Sequence, residues 1–158
     1  MAAACDVAME NRADAVYDEE DDTDVVTDST GEMSNWLYGN PKVLVVDDDD
    51  DTREVIVTML ERDGLRALEA QDGEIAMTLV ESESPDLVIL DVLMPGLDGH
   101  SVCRQLRDDL CLHDIPVIML TGLTSLDDEL EGVTSGADAY LTKPVSRRDL
   151  LARVRQFL

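Results

Sequence analysis

Five consecutive aspartates, Asp47–Asp51, follow directly on the apolar run Val43-Leu44-Val45-Val46, and Asp91 closes a second such run, Leu87–Leu90. Thr121 ends a third run, Pro116–Leu120, and Lys143 stands just beyond the short stretch Ala139–Leu141. Short continuous runs rich in β-branched residues suit strands buried on both faces. In an open parallel sheet, functional groups collect beyond the carboxyl ends of the strands. That edge would gather the carboxylates of Asp47, Asp48 and Asp91, the Thr121 hydroxyl and the Lys143 ammonium. Carboxylates this close repel one another unless a cation sits among them. An all-oxygen set with few side chains and room for water suits Mg²⁺. A divalent cation, a lysine and a hydroxyl around one carboxylate are the parts that phosphoryl transfer to that carboxylate requires.

The elements that must position these groups follow from pattern. Val55, Ile56, Met59 and Leu60 predict a helix over 52–63, with Gly64 closing it and Asp51 and Glu54 as a capping box. A weak strand at Leu65–Glu69, a turn at Asp72-Gly73 and a helix through Ile75, Leu79 and Val80 come next. The turn-rich segment Met94–Gly99 leads into a helix over 100–108. Further helices are expected over 126–135, ending at Gly136, and from Ser146 onward. Five strands then alternate with five helices between Lys42 and Leu158. Such alternation requires right-handed crossovers, hence an α/β fold with a doubly wound parallel sheet covered by helices on both faces.

Charge divides the chain. Of 36 acidic and 12 basic residues, net charge −24, residues 1–40 hold 11 acids and 1 base without a sustained hydrophobic period. Such a segment cannot bury enough apolar surface to offset its ordering entropy. Residues 1–40 are therefore expected to be a disordered acidic extension, with Trp36, Leu37 and Tyr38 as a small anchor, and 41–158 the folded domain. So acidic a surface repels phosphate backbones, which argues against direct nucleic-acid binding. No apolar run approaches the roughly 18 residues of a spanning helix, and the amino terminus lacks a basic start, so no membrane role and a cytoplasmic location are expected. Three cysteines without CxxC or His/Cys ligand spacing speak against a disulfide framework or zinc site and for reduced thiols. His100 and His113 are expected to be surface polar residues.

The stretches VLVVDDD (Val43–Asp49), DLVILDVLMPGLDG (Asp86–Gly99), PVIMLTG (Pro116–Gly122) and GADAYLTKP (Gly136–Pro144) together resemble the response-regulator receiver domain of two-component signalling, over about residues 42–158. The resemblance implies a flavodoxin-like strand order 2-1-3-4-5 and makes Asp91 the phosphoacceptor, taking a phosphoryl group from a phosphohistidine on a sensor histidine kinase or histidine phosphotransferase. It implies Mg²⁺ held by Asp48, Asp91 and the backbone carbonyl of Leu93, with Asp47 helping through water. Lys143, aimed by a cis peptide bond to Pro144, would pair with Asp91 and then with the phosphoryl oxygens. Thr121 would turn onto the phosphoryl group, Tyr140 would follow as the aromatic switch, and Gly122 keeps space beside the pocket. The face of the 126–135 helix, the fifth strand and the last helix would bind a downstream protein or a second receiver. Two features depart from the pattern: the acidic leader and the lack of an output domain within these residues.

Two other functions fit parts of the pattern. A Mg²⁺-dependent phosphohydrolase also forms an aspartyl phosphate, but the haloacid-dehalogenase type carries an acid/base aspartate two residues after the nucleophile. Leu93 occupies that position and cannot move a proton. Leu93 and Leu123 are expected to shield the acyl phosphate, so turnover should be confined to slow self-dephosphorylation. A scaffold that works without phosphorylation would have no use for the acid pair, Asp91, Thr121 and Lys143.

Overall fold

The computed structural model describes residues 39–109, 111–122 and 136–158. In chain order these form β1 (Lys42–Val46), α1 (Asp50–Glu61), β2 (Arg66–Ala70), α2 (Gly73–Glu83), β3 (Leu87–Asp91), α3 (Gly99–Asp108), β4 (Val117–Thr121), β5 (Ala139–Thr142) and α4 (Arg147–Phe157). The expected helix over 126–135, Leu123 and the leader through Tyr38 lie outside the described residues. Among the described residues there are therefore four helices rather than the five expected.

The strands make one parallel sheet in the order β2-β1-β3-β4-β5. Alternate residues of the central strands divide between two cores. Leu44, Val46, Val88, Leu90, Val117 and Met119 face Ala76 and Val80 of α2 and Val102, Cys103 and Leu106 of α3. Val43, Val45, Leu87, Ile89, Ile118 and Leu120 face Ile56 and Leu60 of α1 and Leu150, Leu151 and Val154 of α4. Burial on both faces explains why these strands read as unbroken apolar runs. Strand β2, at the edge, is only partly buried and reads weakly.

Several local expectations are corrected. The cap of α1 is Asp49, not Asp51: its carboxylate accepts from the Thr52 amide and hydroxyl, and Asp50 and Asp51 lie in the first turn. Asp72 is likewise a cap rather than a simple turn residue, accepting from Ile75 N at 2.8 Å. Asp98 and Ser146 cap α3 and α4. Val55, assigned to the apolar face of its helix, is half exposed, and Val57 is buried instead. His113 is exposed as expected, but His100 is 94% buried and neither ring nitrogen has a hydrogen-bond partner among the described residues. It occupies the first turn of α3, on a surface pressed against the sheet. Cys103 is buried in the core.

Candidate functional site

The sheet reverses its winding between β1 and β3, the place where open parallel sheets leave a crevice at their carboxyl ends. The last register pair there is Val46 with Leu90, so Asp47 and Asp91 follow side by side. Carboxylate oxygens of Asp47, Asp48 and Asp91 lie within 4.8 Å of one another. Asp47 is completely buried, Asp91 is 5% exposed and Asp48 is exposed.

Strand β5 ends opposite Thr121 of β4, and the Lys143 amide donates to the Thr121 carbonyl at 2.7 Å. This delivers Lys143 across 96 residues of chain to Asp47 Oδ2 at 2.7 Å and Asp91 Oδ1 at 3.1 Å. The lysine was expected to pair with Asp91; the structure adds Asp47 as the nearer partner. The Lys143–Pro144 peptide is cis. Burial works against the lysine's charge, but its hydrogen bonds to Asp47 and Asp91 outweigh that and raise its pKa above the ordinary value. Burial also raises the Asp91 carboxyl, reinforced by the Asp47 charge and opposed by Lys143 and a backbone hydrogen bond from Leu93. Energetically the site is therefore short of positive charge. One ammonium serves three carboxylates, and an oxygen-ligated divalent cation would restore balance.

The donor set fits Mg²⁺. Asp47 Oδ1 accepts from the Asp49 amide at 2.9 Å and Oδ2 is held by Lys143, so both oxygens are engaged. Asp48, with its exposed carboxylate, and Asp91 are the better direct ligands. Thr121 closes β4 and is half-buried, one register step past the Leu120–Asp91 pair. Tyr140 is half-buried and packs on the core beneath α2 and α3. Leu93 is 60% exposed two residues after Asp91, and Gly122 borders an open cavity of about 510 Å³ beside Lys143.

Two residues that shape the site were not among the site residues expected from sequence, where Gly99 stands only as the end of a turn-rich segment. Gly99 meets the end of β3 so closely that a Cβ there would lie 2.2 Å from the Asp91 carbonyl oxygen. Arg53 donates to the Asp47 carbonyl at 2.8 Å. In sequence Arg53 is one base after an acid run, three residues from Asp50, which reads as an ordinary helix ion pair.

Residues 43–155 match the family model for the response regulator receiver domain. The chain belongs to that family. Over 117 residues this receiver domain is 46% identical to the "Probable transcriptional regulator ycf27" of Cyanophora paradoxa, covering 74% of this chain and 48% of that protein. It is 42% identical over 118 residues to the "DNA-binding dual master transcriptional regulator RpaA" of Synechocystis, covering 75% of this chain and 49% of the relative. The chain thus spans about half the length of the curated relatives it matches. Among solved structures, the receiver domain of the Francisella response regulator 1452 is 41% identical with a TM-score of 0.69, covering 75% of this chain and 96% of that one. Chemotaxis protein CheY4 of Vibrio cholerae, at 31% identity, gives a TM-score of 0.72 over 76% of this chain and all of that one. Among the described residues no helix is long and apolar enough to cross a membrane.

Proposed function

We propose that this receiver domain accepts a phosphoryl group on Asp91 from a phosphohistidine donor, a sensor histidine kinase or histidine phosphotransferase, as part of a cytoplasmic two-component or phosphorelay system. The observation that carries the proposal is the convergence of Asp47, Asp48, Asp91 and Lys143 at the switch point of the sheet. Asp48 and Asp91, with the Leu93 carbonyl, would hold Mg²⁺, and Asp47 would reach it through water. When bound, the cation neutralises the entering phosphoryl oxygens.

An Asp91 oxygen attacks phosphorus, the bond to the donor nitrogen breaks, and the imidazole leaves with that electron pair. Lys143 starts between Asp47 and Asp91 and can follow the new charge without leaving Asp47. Thr121 supplies a hydroxyl from the next strand, and its movement makes room for Tyr140 as the switch. These shifts would alter the face around β5 and α4, where a downstream protein or a second receiver docks. Residues 41–158 are the receiver domain and residues 1–40 an acidic extension. The chain itself does not bind nucleic acid directly and is no turnover enzyme. Leu93 supplies no proton and shields the acyl phosphate, so self-dephosphorylation is slow.

Incubation with acetyl phosphate and Mg²⁺, followed by intact mass measurement, tests this. The expected result is one phosphoryl adduct, absent from Asp91→Asn and persisting well beyond seconds after donor removal. Multiple turnover of the donor would make the protein a phosphohydrolase, and no adduct at all would make it a scaffold.

A further inference from the structure

Arg53, on the first turns of α1, places its guanidinium against three different elements. It donates Nη1 to the Asp47 carbonyl at 2.8 Å, Nε to Glu69 of β2 at 3.1 Å, and Nη2 to Asp50 of its own helix. The side chain is only 13% exposed, so the fork is held rather than waving in solvent. An exposed ion pair alone would contribute little. The bond to the Asp47 carbonyl has a different consequence. A peptide unit is planar, so fixing that oxygen fixes the plane that also holds the Asp48 amide.

Asp48 is the exposed member of the carboxylate cluster, and the backbone on either side decides where it points. The other anchors of this loop are Asp47 N on Ala70 O at 3.2 Å, Asp49 N on Asp47 Oδ1 at 2.9 Å and Lys143 on Asp47 Oδ2 at 2.7 Å. None of them engages the peptide between Asp47 and Asp48. We propose that Arg53 is a positioning residue for the cation site: its fork locks the Asp47–Asp48 peptide so that Asp48 presents its carboxylate beside Asp91. The inference rests on the Mg²⁺ role proposed above and adds the group that orders one of its ligands.

Charge and positioning predict opposite signs, which makes the test sharp. A guanidinium bonded to the Asp47 carbonyl adds positive charge beside the carboxylate cluster and opposes cation binding, so if charge alone mattered its removal would tighten Mg²⁺. If positioning matters, removal weakens it. The test is a Mg²⁺ titration by calorimetry on the full chain at constant ionic strength, with wild type, Arg53→Gln, Arg53→Lys and Glu69→Gln. Loss of a partner that orients a ligand commonly weakens metal binding about 10- to 100-fold. Arg53→Gln is expected at about 10-fold. Arg53→Lys should also be weakened, because one ammonium cannot span a carbonyl and two carboxylates. Glu69→Gln, which loosens the fork without removing it, should be weakened less. The Mg²⁺ concentration for half-maximal labelling by acetyl phosphate should rise in step.

Unchanged or tighter binding in Arg53→Gln, or full affinity in Arg53→Lys, overturns the proposal. So does a lowered urea midpoint without Mg²⁺ accompanied by wild-type affinity in the folded variants, the mark of a purely structural residue. If both Arg53 variants fail to fold, wild-type affinity in Glu69→Gln overturns it. Failure of the wild type itself to bind Mg²⁺ instead removes the underlying functional proposal.

Discussion

Replacing Gly99 by alanine should damage phosphorylation at Asp91, the proposed phosphoacceptor, although glycine carries no reactive group. A Cβ at this position would lie 2.2 Å from the Asp91 carbonyl oxygen, 3.0 Å from the Asp91 carbonyl carbon and 3.0 Å from the Val92 Cα. All three are backbone atoms, so no side chain can swing aside. The Gly99 amide also donates to the Val92 carbonyl at 3.1 Å, tying the start of α3 to the end of β3. Reaching ordinary contact distance requires the two elements to part by roughly 1 Å or more. Overpacking of this kind costs about 1–3 kcal/mol, and with only backbone to yield we expect about 3 kcal/mol. A shift of that size at Asp91 should slow phosphorylation on the order of 100-fold. Urea denaturation measures the first quantity, and labelling by acetyl phosphate with Mg²⁺, scaled to folded protein, measures the second. Gly73→Ala is the control. Its Cβ would meet the Leu97 carbonyl oxygen and a Val102 methyl, both at 2.7 Å, away from Asp91. It should destabilise by about 1–3 kcal/mol and leave labelling nearly intact. The reasoning is refuted if Gly99→Ala stays within about 0.5 kcal/mol of wild type, or labels as fast as Gly73→Ala.

Because burial raises the Asp91 carboxyl, the native state binds that proton more tightly than the unfolded chain. Stability without Mg²⁺ should then fall as pH rises from the ordinary carboxylate value of 3.8 through the native value. Asp91→Asn should accordingly be the more stable protein at neutral pH, with its advantage shrinking in acid; a constant gap across a pH series of urea melts would contradict this. Lys143→Met leaves Asp47 fully buried with its cation removed, and should cost about 2 kcal/mol, reduced from the usual cost of a broken buried pair because the lysine is 24% exposed. Millimolar Mg²⁺ should recover part of that loss, and no recovery in a thermal melt would count against a cation at this edge. His100→Leu removes two buried ring nitrogens that lack partners and should raise the urea-derived stability by about 1 kcal/mol. A loss of stability instead would refute this reading of His100.

The sheet was legible because its evidence is local. A strand buried on both faces is apolar on both sides of its pleat, so β1, β3 and β4 announce themselves by their unbroken apolar runs, with the polar Lys42, Asp91 and Thr121 only at their ends. The carboxylates at their ends could be placed on one edge once the alternation of strand and helix required a parallel sheet. Helix α1 shows where local evidence fails. Five aspartates run into its start, all acceptable as caps, and Asp49 takes the role, with Asp50 and Asp51 inside the first turn, because its amide is held by Asp47 Oδ1 and its backbone is extended (φ −87, ψ 110). His100 was misplaced because a histidine three residues before Cys103 looks polar in isolation, and only the packing of α3 on the sheet buries it.

The sequence by itself determined the strand runs, the alternation that closes them into a parallel sheet, and the placing of Asp47, Asp48, Asp91 and Lys143 at one edge of it. Those follow from side-chain polarity and spacing, which act over a few residues. Tertiary structure alone decided which charges meet. Lys143 is closest to Asp47 because the β4–β5 register carries it there; Arg53 grips the Asp47 carbonyl because α1 packs beside β2; Gly99 abuts Asp91 because α3 starts against the end of β3. Each contact depends on where separate elements stop against one another, to within an ångström or two, and no local pattern of residue types encodes that distance.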